Sequence, residues 1–261
     1  MAREVIPAER RQRILARLQE DGVVRVAALS TELEVSDVTI RRDLVQLESE
    51  GTLERTHGGA LLTQRMELEP DYIDKDLRER EAKERIGHTA AQLPQEGDTL
   101  FVNSGSTNSH LLHHLADRAK LRIITSNAAA LARTGEQNEL IVLGGTYRIQ
   151  SNSFVGPLAN QHLRQLHADH TFIGVDGISL LRGLSTPSAW EGEIARLMIE
   201  QTRGSVVVVA DHTKLGVIAD FATAPLAMVD TLVTDGAPPE DFAASLRDSG
   251  VRVVLADCGL A

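Results

Sequence analysis

The sequence predicts an α/β protein in two parts, a small N-terminal part and a larger part built on a mainly parallel sheet. Residues 7–62 carry three short amphipathic helical patterns, and two apolar segments around a Gly-Gly pair follow them. From residue 99 onward, short apolar runs alternate with helical stretches, and each run ends in a polar or glycine-bearing loop. That alternation is typical of a parallel α/β sheet.

The composition excludes several classes of protein. The chain has 261 residues, of which 42% are hydrophobic and 25% charged, as in a globular protein of two domains. The single cysteine, Cys258, excludes an internal disulfide framework and a cysteine metal cluster, so we predict neither metal nor cofactor. The N-terminus lacks the apolar region of a signal peptide, and no apolar run approaches a membrane span. We therefore expect a cytoplasmic protein that does not bind membranes.

The first two helices of the small part are short. The first helical pattern covers residues 9–20 and ends at Asp21-Gly22, where glycine suits the position after a helix. The pair Val23-Val24 predicts a short strand. A second helix is expected from about residue 25 to residue 34.

The third helix carries the most informative pattern. Ser36 follows a tight turn and is a suitable N-cap. At about 100° per residue, Ile40, Leu44 and Leu47 share a narrow arc that must face the core. Arg41 lies to one side. The residues that point away from the core are Val38, Thr39, Arg42 and Gln46.

This exposed face suits the major groove of DNA. Arginine pairs with guanine, glutamine pairs with adenine, and threonine or valine contacts a thymine methyl group, whereas Arg41 is better placed for a phosphate. The alternative is that Arg41-Arg42-Asp43 is only a solvated charged face. The short turn between two short helices favours DNA.

A β-hairpin follows the third helix. The apolar segments on either side of Gly58-Gly59 predict the hairpin, because paired glycines permit the turn. In this position the hairpin is a wing, and Arg55 and His57 near its tip are candidates for contact with a phosphate or the minor groove. For His57 taken alone, an ordinary exposed hairpin histidine is an equal alternative.

The charge balance argues against a generally basic DNA-binding surface. The net charge is -10. Residues 1–62 hold nine arginines and no lysine against eleven acidic residues, a net of -2, and the remaining chain has a net of -8. Any DNA contact must therefore depend on the placement of individual arginines.

The run Thr39-Ile40-Arg41-Arg42-Asp43-Leu44, followed by Arg55-x-His57-Gly58-Gly59-Ala60, resembles the DeoR family of bacterial transcriptional regulators. The resemblance covers nearly all of residues 7–62 and implies a winged helix-turn-helix that binds double-stranded DNA. The DNA-binding residues predicted on this basis are Ser36, Val38, Thr39, Arg41, Arg42, Gln46, Arg55 and His57.

The second part begins after an irregular segment. Residues 63–75 contain a proline, several acids and no clear period, which favours a linker, and a helix is expected from about residue 76 to residue 93. We predict a domain over residues 76–258. Its strand candidates are residues 99–102, 121–125, 140–143, 170–175, 205–210, 231–234 and 251–255.

Polar side chains follow these strands, at the sheet edge where ligands of such folds bind. The loop after the first strand brings glycine, hydroxyl groups and a helix N-terminus together, which suits a phosphate, although an ordinary turn with an N-cap is the alternative. Lys214 is a candidate to neutralise a phosphate, or else a surface loop lysine. The predicted effector-binding residues are Asn103, Gly105, Ser106, Thr107, Asn108, Ser126, Asn127, Gly145, Asp176, Gly177 and Lys214.

The second part is similar to the sensor domain of the same family, which resembles the fold of ribose-5-phosphate isomerase and glucosamine-6-phosphate deaminase. One departure is visible, because sensors of the family usually carry aspartate where this chain has Asn103. The motifs that match, in order, are Gly105-Ser106-Thr107, Thr125-x-Asn127, Gly144-Gly145, Gly156-Pro157, Asp176-Gly177 and Asp211-x-x-Lys214-x-Gly216.

The resemblance leaves two functions. The first is a repressor of a sugar or polyol operon, released from DNA by a phosphorylated sugar and acting as a homodimer or homotetramer, since two readers pair two half-sites. The second is a sugar-phosphate isomerase or deaminase with an appended DNA-binding domain. The deaminases place a histidine directly after their Asp-Gly pair, and this chain has Ile178 there, so we expect no enzyme.

Overall fold

The computed structural model describes residues 6–66, 68–118, 120–132 and 135–256. Both predicted parts are present, and the α/β fold class is confirmed. Cys258 and the predicted end of the second domain lie outside the described residues. Within the described chain, no helix is both long and apolar enough to cross a membrane.

Three helices and a three-stranded sheet make up the N-terminal part. The sheet order is β1-β3-β2 with antiparallel pairing, which confirms the predicted hairpin. The elements are α1 (Pro7–Asp21), β1 (Val23–Arg25), α2 (Val26–Glu32), α3 (Asp37–Ser49), β2 (Leu53–Arg55) and β3 (Gly59–Leu62).

The core of this part is the one that the sequence pattern predicts. Ile40, Leu44 and Leu47 of α3 are fully buried against Ile14 and Leu18 of α1. The Ser36 side chain caps α3 by accepting a hydrogen bond from the Thr39 backbone N–H at 3.3 Å, as predicted.

A seven-stranded parallel sheet is the centre of the second part. Its order is β17-β16-β13-β10-β5-β6-β7, all seven predicted strands are in it, and helices cover both faces. The strands are β5 (Thr99–Val102), β6 (Arg122–Thr125), β7 (Glu139–Val142), β10 (Ala168–Gly174), β13 (Thr202–Val209), β16 (Thr231–Thr234) and β17 (Arg252–Leu255). The helices are α4 (Tyr72–Leu77), α5 (Arg80–Ala90), α6 (Ser106–Leu115), α7 (Pro157–Leu163), α8 (Ala189–Glu200) and α9 (Glu240–Asp248).

Short strands outside the main sheet were not predicted. Two of them join the two parts, because β4 pairs in parallel with β14, placing Gln64 opposite Val217. The others form a hairpin of β8 with β9 and a small sheet of order β11-β12-β15. These strands are β4 (Gln64–Arg65), β8 (Thr146–Arg148), β9 (Ser153–Val155), β11 (Gly177–Ser179), β12 (Gly183–Thr186), β14 (Val217–Ile218) and β15 (Phe221–Ala224).

The segment expected to be a structureless linker, residues 63–75, contains β4 and most of α4, and the helix expected over residues 76–93 is α5, which starts at Arg80. The helical conformation is interrupted between α4 and α5 because Glu79 adopts a left-handed conformation with φ of 50°. No residue of α4 is buried, and its six residues are too short a run for an apolar period to identify the helix.

Candidate functional site: an exposed helix face and a charged cavity

The face of α3 predicted to read DNA is open to solvent. Val38 is 63% exposed, and Arg41 and Arg42 are also exposed. Thr39 is half-buried, with its hydroxyl 2.9 Å from that of Ser36. Among the described residues, neither arginine of this pair has an ion pair or a side-chain hydrogen bond. Both guanidinium groups therefore remain available to a ligand.

Asp43 differs from the two arginines that precede it, because its side chain points into the domain. It is 4% exposed, and its Oδ2 accepts a hydrogen bond from Arg10 Nε at 2.5 Å. Arg11 lies 3.7 Å from the other carboxylate oxygen. The run Arg41-Arg42-Asp43 is thus not one solvated face, since its aspartate ties α3 to α1.

Each of the three remaining predicted DNA-contacting side chains contacts a carboxylate of the protein itself. Gln46 donates to Glu50 at 2.8 Å. Arg55 donates to Glu48 at 2.8 Å, within the same small domain. His57 Nε2 lies 3.1 Å from Asp248 of the C-terminal part. Sequence reasoning did not foresee these partners.

A cavity of about 340 Å³ opens at the carboxyl ends of β5, β10 and β13. The loops after these strands line it together with the segment that precedes α5. This is the sheet edge at which parallel α/β folds bind ligands. Of the predicted effector-binding residues, those that line the cavity are Asn103, Gly105, Ser106, Thr107, Asp176 and Lys214.

The other five predicted effector-binding residues do not line the cavity. Asn127 is fully buried and donates to the Gly105 carbonyl at 3.2 Å. Asn108 is also fully buried and donates to Asn103 Oδ1 at 2.6 Å. These amides therefore hold the loop between β5 and α6 in place. The remaining three, Ser126, Gly145 and Gly177, are outside the lining as well.

Asn103 fixes the ends of two neighbouring strands. Its amide donates to the Gly174 carbonyl at 3.0 Å, and its Oδ1 accepts from the Gly174 backbone N–H at 2.8 Å. An aspartate has no N–H with which to make the first bond. The asparagine, which departs from the family pattern, thus makes a reciprocal pair with the backbone while lining the cavity without a charge.

A network of ion pairs with alternating charge includes three side chains of the cavity lining, Lys75, Asp176 and Glu191, and most of its members were not predicted from the sequence. Lys75 lies 2.8 Å from Asp176 and 3.9 Å from Glu69. Arg148 pairs with Glu69 and lies 3.6 Å from Glu191. The hydrogen bonds that Arg148 donates to the Glu69 carboxylate raise the pKa of Arg148. Glu69 and Lys75 both come from the predicted linker, whose sequence gave no signal of a site.

Lys83 is a buried cation at the base of this wall. It is 3% exposed, and its ammonium group donates to the backbone carbonyls of Lys75 and Arg78, where α4 ends. Burial lowers the pKa of Lys83, although the charge of Asp211 opposes the shift. Lys83 therefore fixes the turn between α4 and α5.

Two groups in the cavity wall have free bonding capacity among the described residues. Lys214 has no ion pair or side-chain hydrogen bond there. Asp211 is fully buried and accepts from the Thr213 N–H at 3.0 Å through Oδ1, but its Oδ2 has no hydrogen-bond partner. The cavity thus offers an anion a free cation beside the start of α6, and offers a hydroxyl a free acceptor.

Two family models match the chain. The DeoR-like helix-turn-helix domain matches residues 10–65, and the DeoR C-terminal sensor domain matches residues 78–236. Together they include α3, the wing and the three strand ends around the cavity.

The curated relatives match along almost their whole length. The HTH-type transcriptional regulator GlpR of Haloferax volcanii is 33% identical, over 96% of this chain and 98% of the relative. A putative aga operon transcriptional repressor of Escherichia coli O157:H7 is 34% identical, over 95% and 93%. HTH-type transcriptional regulator GolR of Listeria innocua is 31% identical, over 97% and 100%.

Solved structures are more distant. Ribose 5-phosphate isomerase A from Methanocaldococcus jannaschii aligns with 52% of this chain and 55% of its own, at 16% identity and a TM-score of 0.39. A likeness at that level carries no conclusion about activity.

Proposed function

Because the chain belongs to the DeoR family of transcriptional regulators, we propose that it represses a sugar or polyol catabolic operon and that a phosphorylated sugar releases it from DNA. The observation that carries this proposal is the cavity, where Lys214 and Asp211 have unused bonding capacity. Like its relatives, which are named as transcriptional regulators or repressors, the chain is a regulator and not an enzyme.

The cavity chemistry supports a ligand with one anionic end and several hydroxyls. A phosphate fits between Lys214 and the first turn of α6, where Ser106 and Thr107 add hydroxyl donors. Sugar hydroxyls fit the rest of the cavity, where Asp176 and Asp211 supply acceptors. The six predicted residues that line the cavity are the proposed contacts, and Asn108 and Asn127 support them through hydrogen bonds to Asn103 and Gly105.

In this proposal, the effect of effector binding is transmitted to the N-terminal DNA-binding domain through the segment between the two parts. Lys75 belongs to this segment and is held by Asp176 across the cavity. A phosphate that takes the ammonium group of Lys75 competes with that carboxylate and so changes how the segment is held. Release from DNA then requires only that the effector bind the DNA-free arrangement more tightly.

We propose a DNA-binding domain over residues 7–62, a connecting segment over residues 63–75, and a sensor domain from residue 76 to residue 258. The protein acts in the cytoplasm as a homodimer or homotetramer, since paired readers match paired half-sites. Large apolar side chains exposed around α4 and β8 support self-association. They include Leu68, Ile73, Leu77, Tyr147 and Ile149.

The reader is tested by two neighbouring arginines. Arg42→Ala should reduce discrimination between the chain's own promoter DNA and a shuffled duplex by about 1–3 kcal/mol, because Arg42 is proposed to contact a base. Arg41→Ala should weaken both duplexes alike and reduce the slope of log affinity against log salt by about one. Fluorescence anisotropy measures both effects. An equal loss of discrimination in the two variants contradicts the assignment of the helix face.

The effector is tested with a panel of sugar phosphates against the complex of protein and promoter DNA. One member should dissociate the complex, its unphosphorylated sugar should not, and Lys214→Met should lose the response while still binding DNA. Turnover of a sugar phosphate with no effect of any on DNA binding would instead support the isomerase or deaminase alternative.

A further inference from the structure

Helix α9 presents two carboxylates to the wing. Asp241 and Asp248 are seven residues apart, so they lie on the same face of the helix, about 10 Å apart along its axis. Asp248 Oδ2 lies 3.1 Å from His57 Nε2 at the wing tip. Asp241 Oδ2 lies 3.9 Å from the guanidinium Nε of Arg25, on the strand beside the wing.

The contact with Asp241 reaches the backbone of the wing. A Cβ placed on Gly58 would lie 3.3 Å from Asp241 Oδ1, so the carboxylate packs directly on the turn. Asp241 is only 18% exposed, yet its Oδ2 has no hydrogen-bond partner among the described residues. A buried carboxylate oxygen without a donor is costly, so the contact is close without being strong.

The groups that α9 engages are those a DNA phosphate would use. Arginine, protonated histidine and the wing backbone are ordinary partners of phosphate oxygens. A carboxylate and a phosphate compete for the same cations, and both cannot occupy one side of the wing. From this geometry we infer that α9 is an autoinhibitory helix, whose Asp241 and Asp248 occupy the phosphate-binding side of the wing until DNA displaces them. The inference rests on the proposed role of the wing in DNA binding.

The inhibition is small in size. Arg25 and His57 are 65% and 69% exposed at their side chains, and exposed ion pairs contribute little. Removing either carboxylate should therefore tighten DNA binding by about two- to fivefold. Such a weak contact suits a regulator, because DNA can still displace it without a large loss of affinity.

The same helix supplies a matched control. Glu240 is a carboxylate of α9 that pairs with Arg247 of that helix at 3.0 Å, and among the described residues it makes no hydrogen bond or ion pair with the wing. Glu240→Gln removes the same charge as Asp248→Asn from the same element. Any general repulsion between the acidic domain and DNA changes equally in the two variants.

The experiment uses the full chain and a labelled 30-base-pair duplex of random sequence, with anisotropy read at low salt. Asp241→Asn and Asp248→Asn should bind about two- to fivefold more tightly, whereas Glu240→Gln should match the wild type. In a His57→Gln background, Asp248→Asn should have no further effect, because its partner is absent. Equal tightening by Glu240→Gln, or no tightening by either aspartate variant, overturns the inference.

Hydrogen exchange separates this inference from the proposed function. In the DNA-free protein, amides of residues 56–62 should exchange faster in Asp241→Asn than in Glu240→Gln, since loss of the Asp241 charge removes its attraction for Arg25 and loosens α9 on the wing. If the wild type binds no DNA at all, the proposed function fails while this measurement still tests the contact. Unchanged exchange in Asp241→Asn shows that α9 does not restrain the wing.

Discussion

Asp43→Asn isolates the charge of a buried residue in the DNA-reading helix. The Asp43 carboxylate and the Arg10 guanidinium have side chains 5% and 9% exposed, and they hold α3 on α1. The substitution keeps the shape of the side chain and removes its charge. It touches neither Arg41 nor Arg42, so any loss of DNA binding comes from stability.

The expected loss follows from the geometry of the pair. At an effective dielectric constant of about 20, charges 2.5 Å apart attract by roughly 6–7 kcal/mol, and desolvation of the two ions cancels most of that attraction. Without the Asp43 charge, the desolvated guanidinium of Arg10 keeps its cost and loses its carboxylate. Removing one partner of a buried pair therefore costs about 3–5 kcal/mol.

Hydrogen exchange is the suitable assay, because residues 1–62 contain no Phe, Tyr or Trp and fluorescence does not report their unfolding. Where exchange follows the opening equilibrium, the amides of α1 and α3 should exchange about 100- to 5,000-fold faster in Asp43→Asn. The double variant Arg10→Met with Asp43→Leu should lie near the wild type, since apolar residues of similar volume replace such pairs with little loss. A change below about fivefold in Asp43→Asn refutes the reasoning, and so does a double variant as unstable as the single one.

Two further predictions concern the C-terminal part. Asn103→Asp should lower the free energy of unfolding by about 1–3 kcal/mol in urea denaturation, because the Gly174 carbonyl loses its donor and meets a carboxylate; an unchanged midpoint contradicts the reciprocal pair. The hydrogen bond to Asp235 raises the pKa of His212, so its stabilisation is complete below about pH 6.5 and is lost as pH rises through the folded pKa. At pH 5.5, thermal unfolding should show the wild type to be more stable than His212→Gln by less than about 1 kcal/mol, since the His212 side chain is half exposed. At pH 9 the two proteins should be equally stable. A difference in stability that does not change with pH counts against the assignment.

The sequence predicts the fold wherever apolar residues repeat with a regular period. The stripe Ile40, Leu44 and Leu47 identifies the core face of α3 because each of these residues is buried. The seven strands of the main sheet are equally clear, since β-branched and leucine runs fill both of its faces. Helix α4 spans only six residues, none of them buried, and β4 spans two, so neither is long enough for a periodic pattern and the sequence predicts a linker there.

The candidate site is predictable only in part, for a related reason. Ser106 and Thr107 are adjacent at the start of α6, so a local motif reveals them. The pairs Lys75–Asp176 and Arg148–Glu69 join residues about 100 and 80 positions apart. A local sequence pattern cannot predict a pair between residues so far apart in the chain. The partners of the wing have the same origin, since Asp248 meets His57 only in the folded protein.

The segment over residues 214–218 contacts both the cavity and the end of the DNA-binding domain. It is therefore a candidate route by which effector binding affects DNA binding. Lys214 lines the cavity, and three residues later the chain begins β14, which pairs with β4 directly after the wing. The Gln64 N–H donates to the Gly216 carbonyl at 3.0 Å.

On the other side of this junction, Glu54 of the wing is 3% exposed and accepts a hydrogen bond from the Leu180 N–H at 2.8 Å. Backbone pairing and a buried carboxylate resist small displacements of the wing relative to the segment that carries Lys214. In the proposed mechanism, a ligand that draws Lys214 inward therefore displaces the base of the wing, whose tip makes the weak contact with α9. A few tenths of an ångström at a rigid junction are enough to bias so small a restraint, whereas a flexible tether between the two parts would dissipate them.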